Sequence, residues 1–361
     1  MSELLYVFII AALVTAAATP LAIRLAPFIG AMDVPKDNRR VHGRPIPRLG
    51  GVAIYLGIMV SFYRLLPWND QIFGIVLGGT LMLAIGIYDD IKCLNPKAKL
   101  AGQILCALII FFFSVQIRGM ANILPIGPHY LIFPTWLSLI VTVFWVVGIT
   151  NTVNLVDGLD GLAAGIVCIA CLSVAYTSAM SGRLGTAYII LAVAGATLGF
   201  LIFNFYPAKI FMGDGGSMLL GFMLASVSLV GDTPTKGTTL FATVIPVMIL
   251  ALPIFDTLFA IVRRMINKKP IMQADKGHLH HRIMAMGFGQ RRTVLALYSI
   301  SAIMGVAGIL WSSEMKLEAM ALFLIASSLI VIFLGIGIVD VNTGRLKERT
   351  VVLPKEKEDC R

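Results

Sequence analysis

The chain has 361 residues, of which 58% are hydrophobic and 13% charged, whereas roughly 25% are charged in an ordinary soluble domain. Its mean hydropathy of +0.89 leaves too little polar surface to cover a water-soluble globule, so most of the chain must be solvated by lipid. The formal net charge is +10, but the basic, aromatic-interleaved surface typical of nucleic-acid binding is absent from the sequence.

The apolar runs predict membrane-spanning helices. A backbone in lipid must satisfy its own hydrogen bonds, and these runs lack the strict alternation of a β-barrel. We therefore predict an all-α, polytopic membrane helix bundle of about 11 (10–11) transmembrane helices in a single domain, 1–361. The predicted limits are 4–23, 49–66, 71–88, 99–117, 136–152, 161–180, 184–203, 216–231, 239–262, 294–311 and 319–339. Residues 340–361 are predicted to form a basic cytoplasmic tail.

The distribution of basic residues predicts the orientation of these spans. With the N-terminus outside, 24 of the 29 Lys and Arg residues lie in inside segments, as the positive-inside rule requires. We therefore expect a multi-pass protein of the inner (plasma) membrane with a cytoplasmic C-terminus. The net positive charge also suits contact with anionic lipid head groups.

Uncommon polar residues gather on the predicted cytoplasmic side. Ionisable groups at a membrane edge are costly unless they are used or paired, so they indicate a functional site. Those at span ends or in inside loops are Asp89, Asp90, Asn154, Asp157, Asp160, Asn204, Asp214, His278, His280 and His281. Asp33, Asp37 and Asp275 are expected to be ordinary solvated loop charges.

The first motif, YDDIK, places Asp89 and Asp90 directly after the apolar run LMLAIGIY. Two adjacent carboxylates repel one another unless a cation is close, and such a pair can bind Mg²⁺ or supply a base. Lys92 and Lys99 offer positive charge for a phosphate, and Lys99 shares a helix face with Gln103.

The second motif is NTVNLVDGLDGLAAG. Asp157 and Asp160 share one face if a helix begins there, and Gly158 and Gly161 allow a ligand close to the backbone. Exposed N–H groups at a helix start suit an anion or a nucleotide. A helix cap followed by a turn is the structural alternative.

The third and fourth motifs are FNFYPAKIFMGDGGS and GHLHHRI. Asp214 lies between glycines, where its carboxylate can approach a hard cation such as Mg²⁺ or Mn²⁺. His278, His280, His281 and Arg282 are predicted to contact phosphate. A zinc site is the alternative, and it is disfavoured because no cysteine accompanies the histidines.

These motifs resemble the polyprenyl-phosphate N-acetylhexosamine-1-phosphate transferase superfamily, glycosyltransferase family 4. YDD, NLVDGLDGLA, FNFYPAKIFMGD and HLHH occur in the family's order, and the match runs from PIPRLGG to GHLHHRI. PIPRLGG and HLHH look more like the bacterial undecaprenyl-phosphate N-acetylglucosaminyl 1-phosphate transferases than the muramoyl-pentapeptide branch.

The resemblance implies a reaction. UDP-GlcNAc and undecaprenyl phosphate would give undecaprenyl-diphosphate-GlcNAc and UMP, with Mg²⁺ (or Mn²⁺) as cofactor and the lipid phosphate oxygen attacking the β-phosphorus. The product would enter a cell-envelope glycan such as teichoic acid or O-antigen. The expected partners are the two substrates, without nucleic acid, and a homodimer is left open.

The resemblance also assigns residue roles. The catalytic set is Asp89, Asp90, Asp157 and Asp160, and the metal ligand is Asp214. Within that set, Asp89 would position or deprotonate the lipid phosphate, and Asp90 would support the metal and the diphosphate. The nucleotide-sugar site would comprise Asn154, Asp160, Asn204, Phe211, His278, His280, His281 and Arg282. Lys99 and Arg48 would bind the lipid phosphate.

Three alternatives were weighed against this assignment. The muramoyl-pentapeptide transferase is the nearest within the family. A transporter would place acidic residues deep in several helices, whereas only Asp256 is predicted to be buried in this way. A CDP-alcohol phosphotransferase would need an arginine that DGLDGLA lacks.

Overall fold

The chain folds almost wholly into helices. The computed structural model describes residues 2–34, 45–65, 68–121, 130–230, 245–268, 277–313 and 315–342. The helices are α1 Ser2–Ile29, α2 Gly50–Leu65, α3 Asp70–Lys92, α4 Pro96–Phe112, α5 Thr135–Val156, α6 Leu162–Met180, α7 Leu184–Asn204, α8 Gly213–Ser228, α9 Ile245–Ile249, α10 Ala251–Ile266, α11 Leu279–Ala285, α12 Gln290–Ser312 and α13 Lys316–Asn342. Two antiparallel pairs of short strands, β1 Met32–Asp33 with β2 Ile46–Pro47 and β3 Gly119–Ala121 with β4 Tyr130–Ile132, complete the elements of the described residues.

Seven helices of the described residues are long and apolar enough to cross a membrane. They are α1, α3, α5, α6, α7, α12 and the part of α13 from Lys316 to Phe333. Shorter helices form in the predicted runs that remain: α2 and α8 have 16 residues each and α4 has 17. The all-α membrane class is thus confirmed, and the count of eleven spans stays a prediction.

The predicted run 239–262 is interrupted in the structure. Helix α9 ends at Ile249, Leu250 is non-helical with φ −92° and ψ 10°, and α10 begins at Ala251. Pro253 lies in the first turn of α10. Because proline lacks an N–H and fits best in the first turn of a helix, it favours a helix start here.

Helix α8 lies at the centre of the bundle, packed against α3, α5 and α2. Every residue of α8 is buried except Asp214. The approach to α3 is close, because a Cβ at Gly86 would overlap the backbone of Gly215. Small residues allow such backbone contact between membrane helices. One turn beyond Gly86, Asp89 and Asp90 are therefore held beside the start of α8.

A second, smaller apolar core lies beneath the histidine motif. Leu252, Leu279, Ile283 and Leu297 from α10, α11 and α12 pack there with Leu162 at the start of α6. This core fixes α11 against the turn that joins α5 to α6.

Candidate active site

A polar cavity of about 390 Å³ lies where the ends of α3, α5 and α7 meet the starts of α8 and α12. Four of the predicted carboxylates share its wall with an arginine and a histidine. Its lining residues are Asp33, Arg48, Asp90, Asn154, Asp157, Gly158, Leu159, Asp160, Asn204, Phe211, Gly213, Asp214, His281 and Gln290. The cavity thus unites residues from all four sequence motifs.

Asp90 caps the start of α8 from the neighbouring helix α3. Its carboxylate accepts hydrogen bonds from the backbone N–H of Asp214 at 2.9 Å and of Gly215 at 3.0 Å. Carboxylates are favoured at a helix N-terminus, where N–H groups have no partner within the helix. Gly213 has φ +70°, and a Cβ there would overlap Asp90 Oδ2. The glycine therefore permits both the turn and the approach of Asp90.

Asp89 has different partners from its neighbour. Lys99 Nζ lies 2.9 Å from Asp89 Oδ2 and 3.0 Å from Asp214 Oδ2, and so bridges two carboxylates. Asp89 Oδ1 accepts the N–H of Leu94 at 2.6 Å, and Asp214 Oδ1 accepts from Asn154 Nδ2 at 2.7 Å. Asp89 and Lys99 lie behind Asp214, outside the lining of the cavity.

The carboxylates of the cavity wall are crowded. Burial and, after it, the negative charge of Asp214 raise the pKa of Asp157 to about 7 against the opposing charge of Arg48. Excess negative charge among oxygen donors is what a hard divalent cation relieves.

This donor set is compatible with Mg²⁺. Asp90, Asp157, Asp160 and Asp214 offer oxygen donors, and 35% of the Asp214 side chain is exposed. In the described part of the chain, no three Asp, Glu, His or Cys side chains converge as a preformed metal cage. Mg²⁺ is usually bound by one or two carboxylates together with water and substrate phosphate, so such a cage is not required.

Asn204 and Asp160 join two loops at the cavity. Asn204 Oδ1 accepts the N–H of Gly161 at 3.1 Å, and its Nδ2 donates to the carbonyl of Ile210 at 2.9 Å. Asp160 Oδ2 accepts the N–H of Ala208 at 2.9 Å. Both predicted nucleotide-site residues therefore hold the segment that carries Phe211 against the turn between α5 and α6.

The histidine motif divides into exposed and buried members. His281 is exposed and lines the cavity. His280 is 3% exposed, and burial lowers its pKa to about 3, which keeps its ring neutral. That ring packs on Gly158, where a Cβ would lie 2.5 Å from His280 Nε2. His278 and Arg282 are not among the residues that line the cavity. His278 is buried, and Arg282 Nε donates to the carbonyl of Gly277 at 3.0 Å.

The chain is similar in sequence to known proteins. The model of glycosyl transferase family 4 matches residues 72–232, from α3 to α8. A probable undecaprenyl-phosphate N-acetylglucosaminyl 1-phosphate transferase of Bacillus subtilis is 39% identical over 321 residues, which cover 87% of this chain and 86% of the relative.

The chain belongs to glycosyl transferase family 4. The decaprenyl-phosphate N-acetylglucosaminephosphotransferase of Mycolicibacterium smegmatis is 34% identical over 323 residues, covering 82% of this chain and 79% of that protein. The phospho-N-acetylmuramoyl-pentapeptide-transferase of Geobacillus thermodenitrificans is 31% identical over 296 residues, covering 76% and 86% respectively. The family match includes every predicted carboxylate of the site and ends before the histidine motif.

Two cavity residues of this family 4 protein were missed by the sequence analysis. Asp33 is buried rather than solvated, with Oδ2 3.4 Å from Arg48 Nη2. The expectation was wrong because β1 pairs with β2, which brings Asp33 beside the segment that carries Arg48. Asp37 and Asp275 lie outside the described residues. Gln290, the first residue of α12, also lines the cavity, and no sequence signal pointed to it.

Proposed function

We propose that the chain transfers GlcNAc-1-phosphate from UDP-GlcNAc to undecaprenyl phosphate, releasing UMP. The observation that carries the proposal is the cavity in which Asp90, Asp157, Asp160 and Asp214 face Arg48 and His281. Enzymes that catalyse phosphoryl transfer commonly use carboxylates that hold a cation, together with nearby positively charged side chains. The name of the Bacillus subtilis relative supports the same acceptor, undecaprenyl phosphate, and the same transferred group, N-acetylglucosaminyl 1-phosphate.

In this reaction an oxygen of the lipid phosphate forms a bond to the β-phosphorus of UDP-GlcNAc. The bond from that phosphorus to the bridging oxygen breaks, and UMP leaves with the electron pair. A phosphate monoester has its second pKa near ~6, so the attacking group is largely dianionic at neutral pH. Positioning and charge control therefore matter more than removal of a proton.

The cavity residues suggest a division of roles. Arg48 would attract the phosphates, and Phe211 would stack on uracil next to Asp160 and Asn204. His281 would contact the donor diphosphate. Asp89 could contact the lipid phosphate directly only if its ion pair with Lys99 were broken. We therefore assign Asp89 the role of holding Lys99 beside Asp214.

Mg²⁺, with Mn²⁺ as the alternative, would be held by Asp214 with support from Asp90 or Asp157. A bound cation of this kind would neutralise charge on the diphosphate. Asn154 donates to Asp214 and would keep its carboxylate turned toward the cavity. Lys99 would limit the repulsion between Asp89 and Asp214 when no substrate is bound.

The proposal includes an arrangement in the plasma membrane. We infer about eleven spans, an external N-terminus and a cavity on the cytoplasmic side, from the bias of basic residues. The nucleotide sugar would then enter from the cytoplasm and the lipid from the bilayer. The product would be the first lipid-linked intermediate of an envelope glycan.

The test is a panel of UDP-sugars offered to the purified protein with undecaprenyl phosphate. We expect UMP release with UDP-GlcNAc and a lipid product of the mass of undecaprenyl-diphosphate-GlcNAc. Transfer from UDP-MurNAc-pentapeptide alone would contradict the proposal and favour the muramoyl-pentapeptide activity. Absence of transfer from every donor would refute the proposed reaction class.

A further inference from the structure

Asp256 is a buried acidic residue whose partners belong to the histidine motif. It lies in α10 with 5% of its surface exposed, where a carboxylate without partners would be strongly unfavourable. Its Oδ2 lies 3.1 Å from His278 Nδ1, and its Oδ1 accepts the N–H of Leu279 at 2.8 Å. Both carboxylate oxygens are thus directed to the beginning of α11.

These contacts determine the orientation of the His278 ring. A carboxylate oxygen is a hydrogen-bond acceptor, so the short contact with Asp256 suits the His278 tautomer whose Nδ1 is the donor. The ring stacks on that of His280 at a centroid distance of 5.9 Å and an interplanar angle of 3°. The His280 ring in turn lies 4.2 Å from that of His281, which lines the cavity. A continuous set of ring contacts therefore connects Asp256 with the cavity wall.

Helix α11 depends on such external contacts. It has seven residues, and an isolated helix of this length is unstable in water. A second contact from α10 supports it, because Arg263 Nη1 donates to the carbonyl of Gly277 at 2.7 Å. Helix α10 thus holds both Gly277, the first residue of the motif, and the first N–H of α11.

We propose that Asp256 is a positioning residue for the nucleotide-sugar donor, because it fixes His278 and the start of α11 and thereby holds His281 on the cavity wall. The inference rests on the proposed function, since it assigns His281 to the donor diphosphate. It also gives the buried acid of α10 a role in the transferase site rather than in an ion pathway.

The test uses the full-length protein in detergent with three variants. Asp256→Asn keeps the size of the side chain but removes its charge and one acceptor, and His278→Ala removes the partner ring. Thr257→Val is the matched control, because the adjacent Thr257 hydroxyl is buried and has no hydrogen-bond partner among the described residues. We would measure kcat and KM for each substrate. We would also measure modification of each histidine by diethyl pyrocarbonate, resolved by mass spectrometry.

We expect Asp256→Asn to lower kcat/KM for UDP-GlcNAc by about tenfold, the scale of one lost charge-assisted hydrogen bond. The KM for undecaprenyl phosphate should change by less than about twofold, because the altered contact is on the donor side. In Asp256→Asn, the modification of His278 should be about tenfold faster than in the wild type. The exposed His281 is the internal reference, and Thr257→Val should behave like the wild type. On the His278→Ala background, Asp256→Asn should add less than about a twofold loss of donor kcat/KM.

Two outcomes would overturn the inference. One is that diethyl pyrocarbonate modifies His278 at the same rate in Asp256→Asn as in Thr257→Val. The other is an undiminished effect of Asp256→Asn when His278 is already absent. A wild-type protein that transfers no UDP-sugar would instead refute the proposed function, and the histidine reactivities would still decide the contact between Asp256 and α11.

Discussion

Adjacent residues at the cavity have distinct partners. Asp90 accepts two backbone N–H groups of α8, whereas Asp89 pairs with Lys99 and the N–H of Leu94. The reason is geometric, because successive side chains on a helix diverge by about 100°. Asp214, which Lys99 and Asn154 contact, lines the cavity with 35% of its side chain exposed, so an entering ligand can reach its carboxylate. It is therefore the residue at which loss of charge should be felt most directly.

Asp214→Asn tests the proposed metal ligand. The substitution keeps the size of the side chain but removes the charge that binds a hard cation, so we expect activity to fall by about 10²-fold or more. UMP release should be measured over a series of Mg²⁺ concentrations. Asp70→Asn, at an exposed position in the first turn of α3, is the control. Turnover near the wild-type level at ordinary Mg²⁺ would refute the assignment.

Gly213→Ala tests the junction between Asp90 and α8. Gly213 has φ +70°, and an added Cβ would overlap Asp90 Oδ2. We expect a loss of about 1–3 kcal/mol in the free energy of unfolding, together with reduced activity. Thermal unfolding in detergent would measure the change. Gly148→Ala in α5 should cause no loss, because no atom of the described residues lies within 4 Å of an added Cβ. Equal destabilisation by both variants would contradict the interpretation.

At the scale of elements, the cavity is formed by helix ends and short segments rather than by helix faces. Helix α8 supplies Asp214, the turn after α5 supplies Asp157 and Asp160, and α11 supplies His281. Helix α11 packs on that turn through His280 and Gly158. The stability of this contact should therefore respond to the protonation of His280.

The contribution of His280 to the stability of the folded protein should fall in mild acid. The pKa of His280 is about 3 in the folded state, against an ordinary value of 6.5. Between pH 6.5 and pH 3, His280 binds a proton in the unfolded chain but not in the folded chain. The contribution of His280 to the free energy of unfolding is therefore fully present above pH 6.5 and is lost as the pH falls toward 3. At pH 5 the loss should be on the order of 2 kcal/mol relative to pH 7.5.

Thermal unfolding of wild type and His280→Gln at both pH values measures this effect. The variant has no titrating group at position 280, so it should lose less stability than the wild type between pH 7.5 and pH 5. Identical pH dependence in the two proteins would contradict the assignment of the effect to His280.

At the scale of the whole molecule, apolar helices surround a polar cavity near their ends. Helices α3, α5 and α7 are long and apolar enough to cross a membrane, and each contributes a polar residue near its C-terminal end: Asp90, Asn154 and Asn204. These helices therefore run in the same direction relative to the cavity. From the predicted excess of basic residues on one side, we propose that this end is cytoplasmic.

The topology can be tested at two positions that lie outside the described residues, Pro234 and Cys360. A reporter inserted near Pro234 should be external, and one fused after Arg361 should be cytoplasmic, because 24 of 29 basic residues fall on the predicted inside. In a variant with Cys360 as its single cysteine, a membrane-impermeant thiol reagent should fail to label intact cells. External labelling would rule out the arrangement with eleven spans.

The sequence alone determined the helical membrane class and the motifs that carry the chemistry, because hydropathy and local spacing are properties of contiguous residues. It also placed Asp90, Asp157, Asp160 and Asp214 in one site, which the structure brings together at the cavity.

Tertiary packing alone decided which polar side chains reach that cavity. The pairing of β1 with β2 buried Asp33, and contacts with α10 and Gly158 left His281 as the cavity-lining histidine of the motif. These outcomes depend on contacts between segments distant in sequence, so no local pattern encodes them.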